Sequence, residues 1–389
     1  MEINDLKKEF LSLYGGEEKH IKVYFAPGRV NLIGEHVDYN GGYVFPCALS
    51  FGTYILARKN NENVVRFATG NFEDKARIPL TDLSRRLEGN RWINYPLGVI
   101  NQFAKNGYPL GFGIDIFVYG NVPNGAGLSS SASIEVATAT MLNDIMGVGV
   151  DMIELVKWSQ KAENEFVGVN CGIMDQFASG MGRKDHAIFL NCDTLDYELV
   201  PVRLKGVKLV IANTNKRRGL ADSKYNERRA ECEKAVAFIS RKKKIKVLGD
   251  LSVEEFESLK DAISEENVLK RARHVVTEIK RTLDAVTALK AGNIERFGQL
   301  MNASHDSLRD DYEVTGVELD TLVEEARKIK GTLGSRMTGA GFGGCTVSLV
   351  KEDFLEEFKK KVGENYHKKT GLKADFYVAE IGDGARRIE

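Results

Sequence analysis

The run Val122-Pro123-Asn124-Gly125-Ala126-Gly127-Leu128-Ser129-Ser130-Ser131-Ala132-Ser133 has the residue types to hold an anion. Gly125 and Gly127 carry no Cβ, so backbone there can approach a ligand closely, and Ser129, Ser130 and Ser131 add hydroxyls. Apolar residues alternate at 114, 116 and 118, which predicts an entering strand; 134, 137, 141 and 142 in an Ala-rich run predict a helix leaving the loop. A helix start offers unpaired N–H groups and partial positive charge, so strand, Gly-Ser loop and helix together make a phosphate cradle. The common phosphate loop, G-x-x-x-x-G-K-[ST], has a lysine that this one lacks. No lysine lies between 106 and 156. Charge on a bound triphosphate must then be met by N–H groups, hydroxyls, a metal ion or cations from elsewhere. The alternative reading is a Gly-rich turn capped by serines.

A second concentration of chemistry is Ala26-Pro27-Gly28-Arg29-Val30-Asn31-Leu32-Ile33-Gly34-Glu35-His36-Val37-Asp38-Tyr39. Arg29, Glu35, His36 and Asp38 fall within ten residues, and charged groups are rarely buried unless paired. The segment is either a solvated loop or a polar ligand site held by flanking strands. Further on, Glu163 lies near the end of an expected helix over 151–166, and Asp175 at an expected helix start, where an acid is commonly a cap. A late loop, Met337-Thr338-Gly339-Ala340-Gly341-Phe342-Gly343-Gly344-Cys345, matches G-x-G-x-x-G, but a strand-like run follows it instead of a helix. The dinucleotide reading therefore fails, leaving a Gly loop packed against a ligand or another loop.

The elements expected to position these groups are a helix over 1–20, strands near 21–25, 43–46, 53–57 and 64–67, a helix over 92–106, and strands within 187–213. Beyond Pro201 the chain has no proline and reads as mainly helical; Ala272, Val276, Ile279, Leu283 and Val286 form an amphipathic stripe expected in the core. Two domains are expected, 1–204 and 205–389. Lys+Arg and Asp+Glu both number 55, so no general attraction to nucleic acid or anionic membrane is implied. No apolar run approaches the ~18 residues of a membrane span, and the charged N-terminal segment is unlike a secretory signal. The five scattered cysteines form no C-x-x-C pair, which points away from zinc or a disulfide frame and toward a cytoplasmic setting. Oligomeric state is not legible, with a monomer the default expectation.

The loop at 123–133, the 163–175 region and the loop at 338–344, in this order, resemble the GHMP small-molecule kinase superfamily. The segment Gly28–Tyr39 is similar to the narrower signature of the galactokinase family. The resemblance implies an α+β, two-domain GHMP kinase fold: an N-terminal domain like the second domain of ribosomal protein S5, and a ferredoxin-like C-terminal domain. It implies ATP-dependent phosphorylation of α-D-galactose at its C1 hydroxyl, with Mg2+. By position, Asp175 matches the proposed base and Arg29 the residue beside it. Glu35, His36, Val37, Asp38 and Tyr225 match sugar contacts. Gly125, Ala126, Gly127, Leu128, Ser129, Ser130 and Ser131 match the phosphate loop, Thr69 matches a further ATP contact, and Ser131 and Glu163 match metal ligands. Gly219 departs from the family, where relatives often carry a larger polar residue. The alternatives within the resemblance are a kinase for N-acetylgalactosamine or another sugar, and a non-catalytic galactose sensor; the intact Ser129–Ser131 run and Asp175 speak against the sensor.

Overall fold

A computed structural model describes residues 2–89, 91–123, 127–216 and 221–389, the last stretch with side chains from 224 onward. The expected calls at Gly125, Ala126 and Gly219 lie outside the described residues.

Strands β1 (Lys22–Asn31), β3 (Pro46–Asn60), β4 (Val64–Thr69), β5 (Ala76–Pro79), β6 (Gly113–Gly120) and β13 (Arg386–Arg387) form one sheet in the order β13-β1-β3-β6-β4-β5. Its pairs are antiparallel except β4–β6, which runs parallel through the crossover helix Asn94–Lys105. The strand β1 is buried on both faces, so it reads as a nearly continuous apolar run before Arg29. A three-stranded sheet, β2 (Tyr43–Val44), β7 (His186–Asn191) and β8 (Tyr197–Pro201), lies beside it. The strands β9 (Val207–Asn213), β10 (Thr332–Thr338), β11 (Cys345–Lys351) and β12 (Asp375–Ala379) make an antiparallel sheet in the order β10-β11-β9-β12.

Several expected boundaries shift. The first helix ends at Tyr14, before Gly15-Gly16, and residues 18–20 form only a short turn. The expected helix over 151–166 starts at Met152, where the Asp151 carboxylate accepts from Glu154 N at 3.1 Å. It widens into a π turn over Ala162–Val167, and Glu163 sits on that turn. The stripe Ala272, Val276, Ile279 and Val286 is buried on the helix Glu266–Lys290, but Leu283 is exposed at its margin. The C-terminal region expected to be mainly helical carries the four-stranded sheet as well; β9 and β11 fall on the strand-like runs expected at 187–213 and after the Gly loop, whereas β10 and β12 were not expected. A boundary near 205 precedes β9, while β13 returns to the sheet of β1; the two-domain division stands as our proposal.

Candidate active site

The strand β1 ends where Arg29 and Asn31 are already buried, and the chain then turns through Gly34–Asp38 over the helix Glu266–Lys290. Glu278 of that helix accepts from the backbone N–H of Gly34 at 3.0 Å and of Glu35 at 3.3 Å, which fixes the turn. The helix Ser130–Met146 follows β6 as expected, and Asp175 lies in the first turn of the helix Met174–Met181. These pieces and the late Gly loop enclose a cleft of about 580 Å³.

Arg29 and Asp175, 146 positions apart, meet in a bidentate ion pair: Nε to Oδ1 at 2.7 Å and Nη2 to Oδ2 at 2.9 Å. Arg29 also donates through Nη1 to the Gly127 carbonyl at 2.9 Å. The Arg29 guanidinium is buried, while 28% of the Asp175 side chain remains accessible, so the carboxylate faces the cleft. Asp175 is not a helix cap; it takes the Ser129 hydroxyl at 2.5 Å instead. Ser129, expected to face phosphate, therefore has its hydroxyl on a carboxylate. Its backbone is left-handed at φ 61°, as is that of His36 at φ 62°. Such strain in non-glycine residues persists only where the surroundings enforce it, and both positions line the cleft.

Glu35 is 1% exposed and bonded within the protein through both carboxylate oxygens. Asn31 donates to one and the Gly339 N–H to the other, with Arg336 Nη2 3.5 Å from the second. Gly339 has φ 87°, and a Cβ there would lie 2.9 Å from the Gly127 carbonyl, so the two Gly loops touch. His36 is 4% exposed, and its Nδ1 lies 2.8 Å from the Tyr39 hydroxyl. Burial, with His274 nearby, lowers His36 to about 3, so its ring is neutral at physiological pH. Tyr225 packs against it with ring centroids 5.7 Å apart. The Val37 side chain is buried in the core.

Glu163 and Glu135 form a buried acidic corner. Gln176 Nε2 donates to Glu163 at 2.7 Å and to Glu135 at 3.0 Å, and the Cys171 thiol to Glu163 at 3.4 Å. Burial, then the charge of Asp175, pushes Glu163 up to about 7, against hydrogen bonds from Cys171, Ser131 and Gln176. Burial and Glu163 hold Glu135 well above the usual carboxylate range.

Thr69 closes β4 and engages the Asn71 backbone N–H at 3.2 Å, apart from the cleft-lining residues. Gly127, Leu128, Ser129, Ser130 and Ser131 do line the cleft. Sequence reasoning missed Asn31, Arg336, Tyr39, Tyr312, Glu135 and Gln176. Asn31 and Tyr39 lay inside the charged segment 26–39, Gln176 beside Asp175 and Arg336 just before the Gly loop; Tyr312 and Glu135 had no local cue. It also missed Arg86 and Arg91 at the cleft wall. They supply cationic groups that the lysine-free loop lacks, although Arg91 is paired with Asp74.

Asp38 carries a testable electrostatic consequence. Burial, then the Asp175 charge, pushes its carboxyl up to about 7 from an ordinary value of 3.8. Between those values the folded chain holds a proton that the unfolded chain has lost, so stability falls as pH rises through that window. Asp38→Asn removes the titration. The melting temperature of the ligand-free variant, measured against the parent, is expected to gain from about pH 5 to about pH 8. A gap independent of pH refutes this.

Comparison with known proteins gives three family matches. Residues 94–183 match the GHMP kinases N terminal domain, 285–368 match GHMP kinases C terminal, and 8–59 match the galactokinase galactose-binding signature. The chain is 56% identical over 390 residues to a galactokinase of Fusobacterium nucleatum, covering 100% of this chain and 99% of the relative. It is 52% identical over 387 residues to a galactokinase of Bacillus subtilis, covering 99% of each. The structure of Lactococcus lactis galactokinase complexed with galactose superimposes with a TM-score of 0.97 at 46% identity, covering 99% of this chain and 100% of that one. A Methanococcus jannaschii mevalonate kinase shares the fold at 20% identity, with a TM-score of 0.65 over 94% of this chain and 98% of its own.

Proposed function

This chain belongs to the galactokinase family of GHMP kinases and phosphorylates galactose with ATP; we propose that the reaction takes place at the C1 hydroxyl, with Asp175 as its base and Arg29 as its charge partner. The observation that carries the assignment of roles is the Arg29–Asp175 pair, buried on the arginine side and open to the cleft on the carboxylate side. In this reading Asp175 accepts the hydroxyl proton as the sugar oxygen bonds to the γ-phosphorus and the bond to ADP breaks. Arg29 orients the carboxylate through its two N–H bonds. His36, Asp38 and Tyr225 contact the sugar. Glu35, with its oxygens held by Asn31, Gly339 and Arg336, shapes that site as well as lining it. The phosphates rest against Gly127–Ser131, including the N-terminus of the helix Ser130–Met146.

Mg2+ suits the acidic corner. Glu163 is buried beside negative neighbours, which a cation would relieve, and the Ser131 hydroxyl bonds to it. Among the described residues no cluster of three or more acidic, histidine or cysteine side chains could hold a metal ion by itself. Glu163 and Ser131 would therefore hold it together with phosphate oxygens and water. Its contribution is neutralisation of phosphate charge. Ser131→Ala and Glu163→Gln are each expected to raise the magnesium concentration needed for half-maximal rate, with galactose affinity little changed. Magnesium titrations of both variants check this, and an unaltered metal dependence in both removes the assignment.

The proposal extends to a cytoplasmic setting, supported by ATP as co-substrate. Among the described residues no helix is long and apolar enough to cross a membrane. The deciding experiment is a coupled ADP-release assay with galactose, its C4 epimer glucose, and N-acetylgalactosamine. ADP release, with galactose 1-phosphate as the product, supports the reading. A product phosphorylated elsewhere overturns the C1 assignment, and preference for N-acetylgalactosamine overturns galactose as the main substrate.

A further inference from the structure

A line of four polar groups runs from the sugar side of the cleft into the C-terminal half. His36 Nδ1 is 2.8 Å from the Tyr39 hydroxyl, that hydroxyl is 2.8 Å from the Tyr312 hydroxyl, and Tyr312 is 3.2 Å from Cys232 Sγ. Tyr312 and Cys232 are 0% and 1% exposed, so no water shell competes for these contacts. Cys232 lies on the helix Ala221–Ile239, which also carries Tyr225.

Each of the four groups is neutral and contributes one proton. Burial pushes both phenols well above their usual range and the Cys232 thiol to about 11, and it keeps the imidazole uncharged. A chain of single donors has two self-consistent directions. In one, Cys232 donates to Tyr312, Tyr312 to Tyr39, and Tyr39 to Nδ1, leaving the imidazole proton on Nε2. In the other every bond is reversed, the proton sits on Nδ1, and Nε2 is a bare acceptor. Among the described residues the backbone of Ala340 also interacts with the ring in the sense that favours a proton, as a carbonyl acceptor does; with Tyr39 on Nδ1, Nε2 is the nitrogen left to face it. Nε2 itself has no fully formed hydrogen bond within the described residues. A bare Nε2 would set a lone pair against a carbonyl oxygen, whereas a protonated one is attracted to it and remains able to reach a ligand.

We propose that Tyr39, Tyr312 and Cys232 are positioning residues that hold His36 as the Nε2–H tautomer, so that it presents a donor to a sugar hydroxyl oxygen. This rests on the reading of His36 as a sugar contact. A hydroxyl that accepts from His36 keeps its own proton for a carboxylate, so donor and acceptor around it are both matched. An epimer that moves the hydroxyl leaves the Nε2–H without its sugar acceptor.

The test uses protein labelled with 15N-histidine and long-range 1H–15N spectra. His36 is one of six histidines, and its signal is assigned by its loss in His36→Gln. In the ligand-free parent, Nε2 is expected to carry the proton and Nδ1 to show the shift of an unprotonated, hydrogen-bonded nitrogen. Tyr39→Phe removes the donor to Nδ1, so the two tautomers mix, and KM for galactose rises roughly tenfold while KM for ATP stays within about twofold. Tyr312→Phe shows the same change more weakly, because Tyr39 can still donate. Cys232→Ser keeps a donor and restores the parental spectrum, whereas Cys232→Ala does not. Because the spectrum needs no turnover, it separates failure of the relay from failure of the kinase reading. A parent with the proton on Nδ1, or Tyr39→Phe with an unchanged tautomer, overturns the proposal. A tautomer change without any effect on galactose KM overturns the link to the sugar.

Discussion

Asp175→Asn lowers kcat for galactose phosphorylation by roughly 10²- to 10⁴-fold, the usual contribution of a general base, while both substrates still bind. The variant keeps size and shape but cannot take a proton. It also changes the pair with Arg29. One oxygen is replaced by an NH2 group that faces an Arg29 N–H at either position, and the Ser129 hydroxyl as well if it takes the place of Oδ2. Some stability is therefore lost, on the order of 1–3 kcal/mol for a donor left opposed. Unfolding midpoints and calorimetric binding of galactose and of nucleotide separate that loss from the catalytic one. Arg29→Ala removes the partner that orients Asp175. Residues acting as one unit give non-additive losses, so a double-mutant cycle on kcat/KM is expected to show the pair costing far less than the product of the singles. Strictly multiplicative losses would falsify the coupled pair and leave Arg29 as a phosphate contact.

Glu35→Gln is expected to destabilise the protein by about 3 kcal/mol, the scale on which breaking a buried ion pair strands its partner. The Arg336 guanidinium is 0% exposed, and among the described residues Glu35 is the carboxylate in ion-pair range of it. Arg336 Nη1 has the Asn31 carbonyl at 2.8 Å, but Nε and Nη2 have no hydrogen-bond partner within the described residues. Glutamine keeps the volume and can still accept from either Asn31 or the Gly339 N–H, yet it supplies no charge. Glu278 lies near enough to moderate the loss electrostatically. The denaturant midpoint is expected to fall without a change in the slope of the transition. Glu35→Gln with Arg336→Met is expected to recover part of the loss, because no charge is then stranded. A midpoint unchanged in Glu35→Gln contradicts the pairing, whatever happens to activity.

The sequence made the site's ingredients legible better than their connections. The strand-loop-helix around 113–146 was readable because its periods change at the Gly-Ser loop, and the rejection of a dinucleotide site at 339–344 followed from the strand that comes next. The charged turn at 29–38 was readable as improbable for a core. What stayed hidden depends on side-chain direction in three dimensions. Ser129 looked like its two neighbours, yet a left-handed backbone turns its hydroxyl to Asp175. Glu35 looked like a free ligand group, but its partners Arg336 and Gly339 come from the other end of the chain. The π turn that carries Glu163 has no sequence period of its own, since it is a single turn at the end of its helix.

The pairing of β13 with β1, Tyr24 opposite Arg387 and Phe25 opposite Arg386, has a consequence in time. Synthesis delivers β1, with Arg29 near its end, among the first elements and its edge partner among the last. Until Arg386 and Arg387 emerge, the edge of that strand exposes unpaired N–H and C=O groups. Contacts so far apart in sequence also carry a large loop-closure penalty, and folds rich in them form slowly. The sheet beneath the cleft is thus completed only once β13 is available, and a nascent chain stalled short of 386 holds the sugar-binding turn on a strand with one flank open.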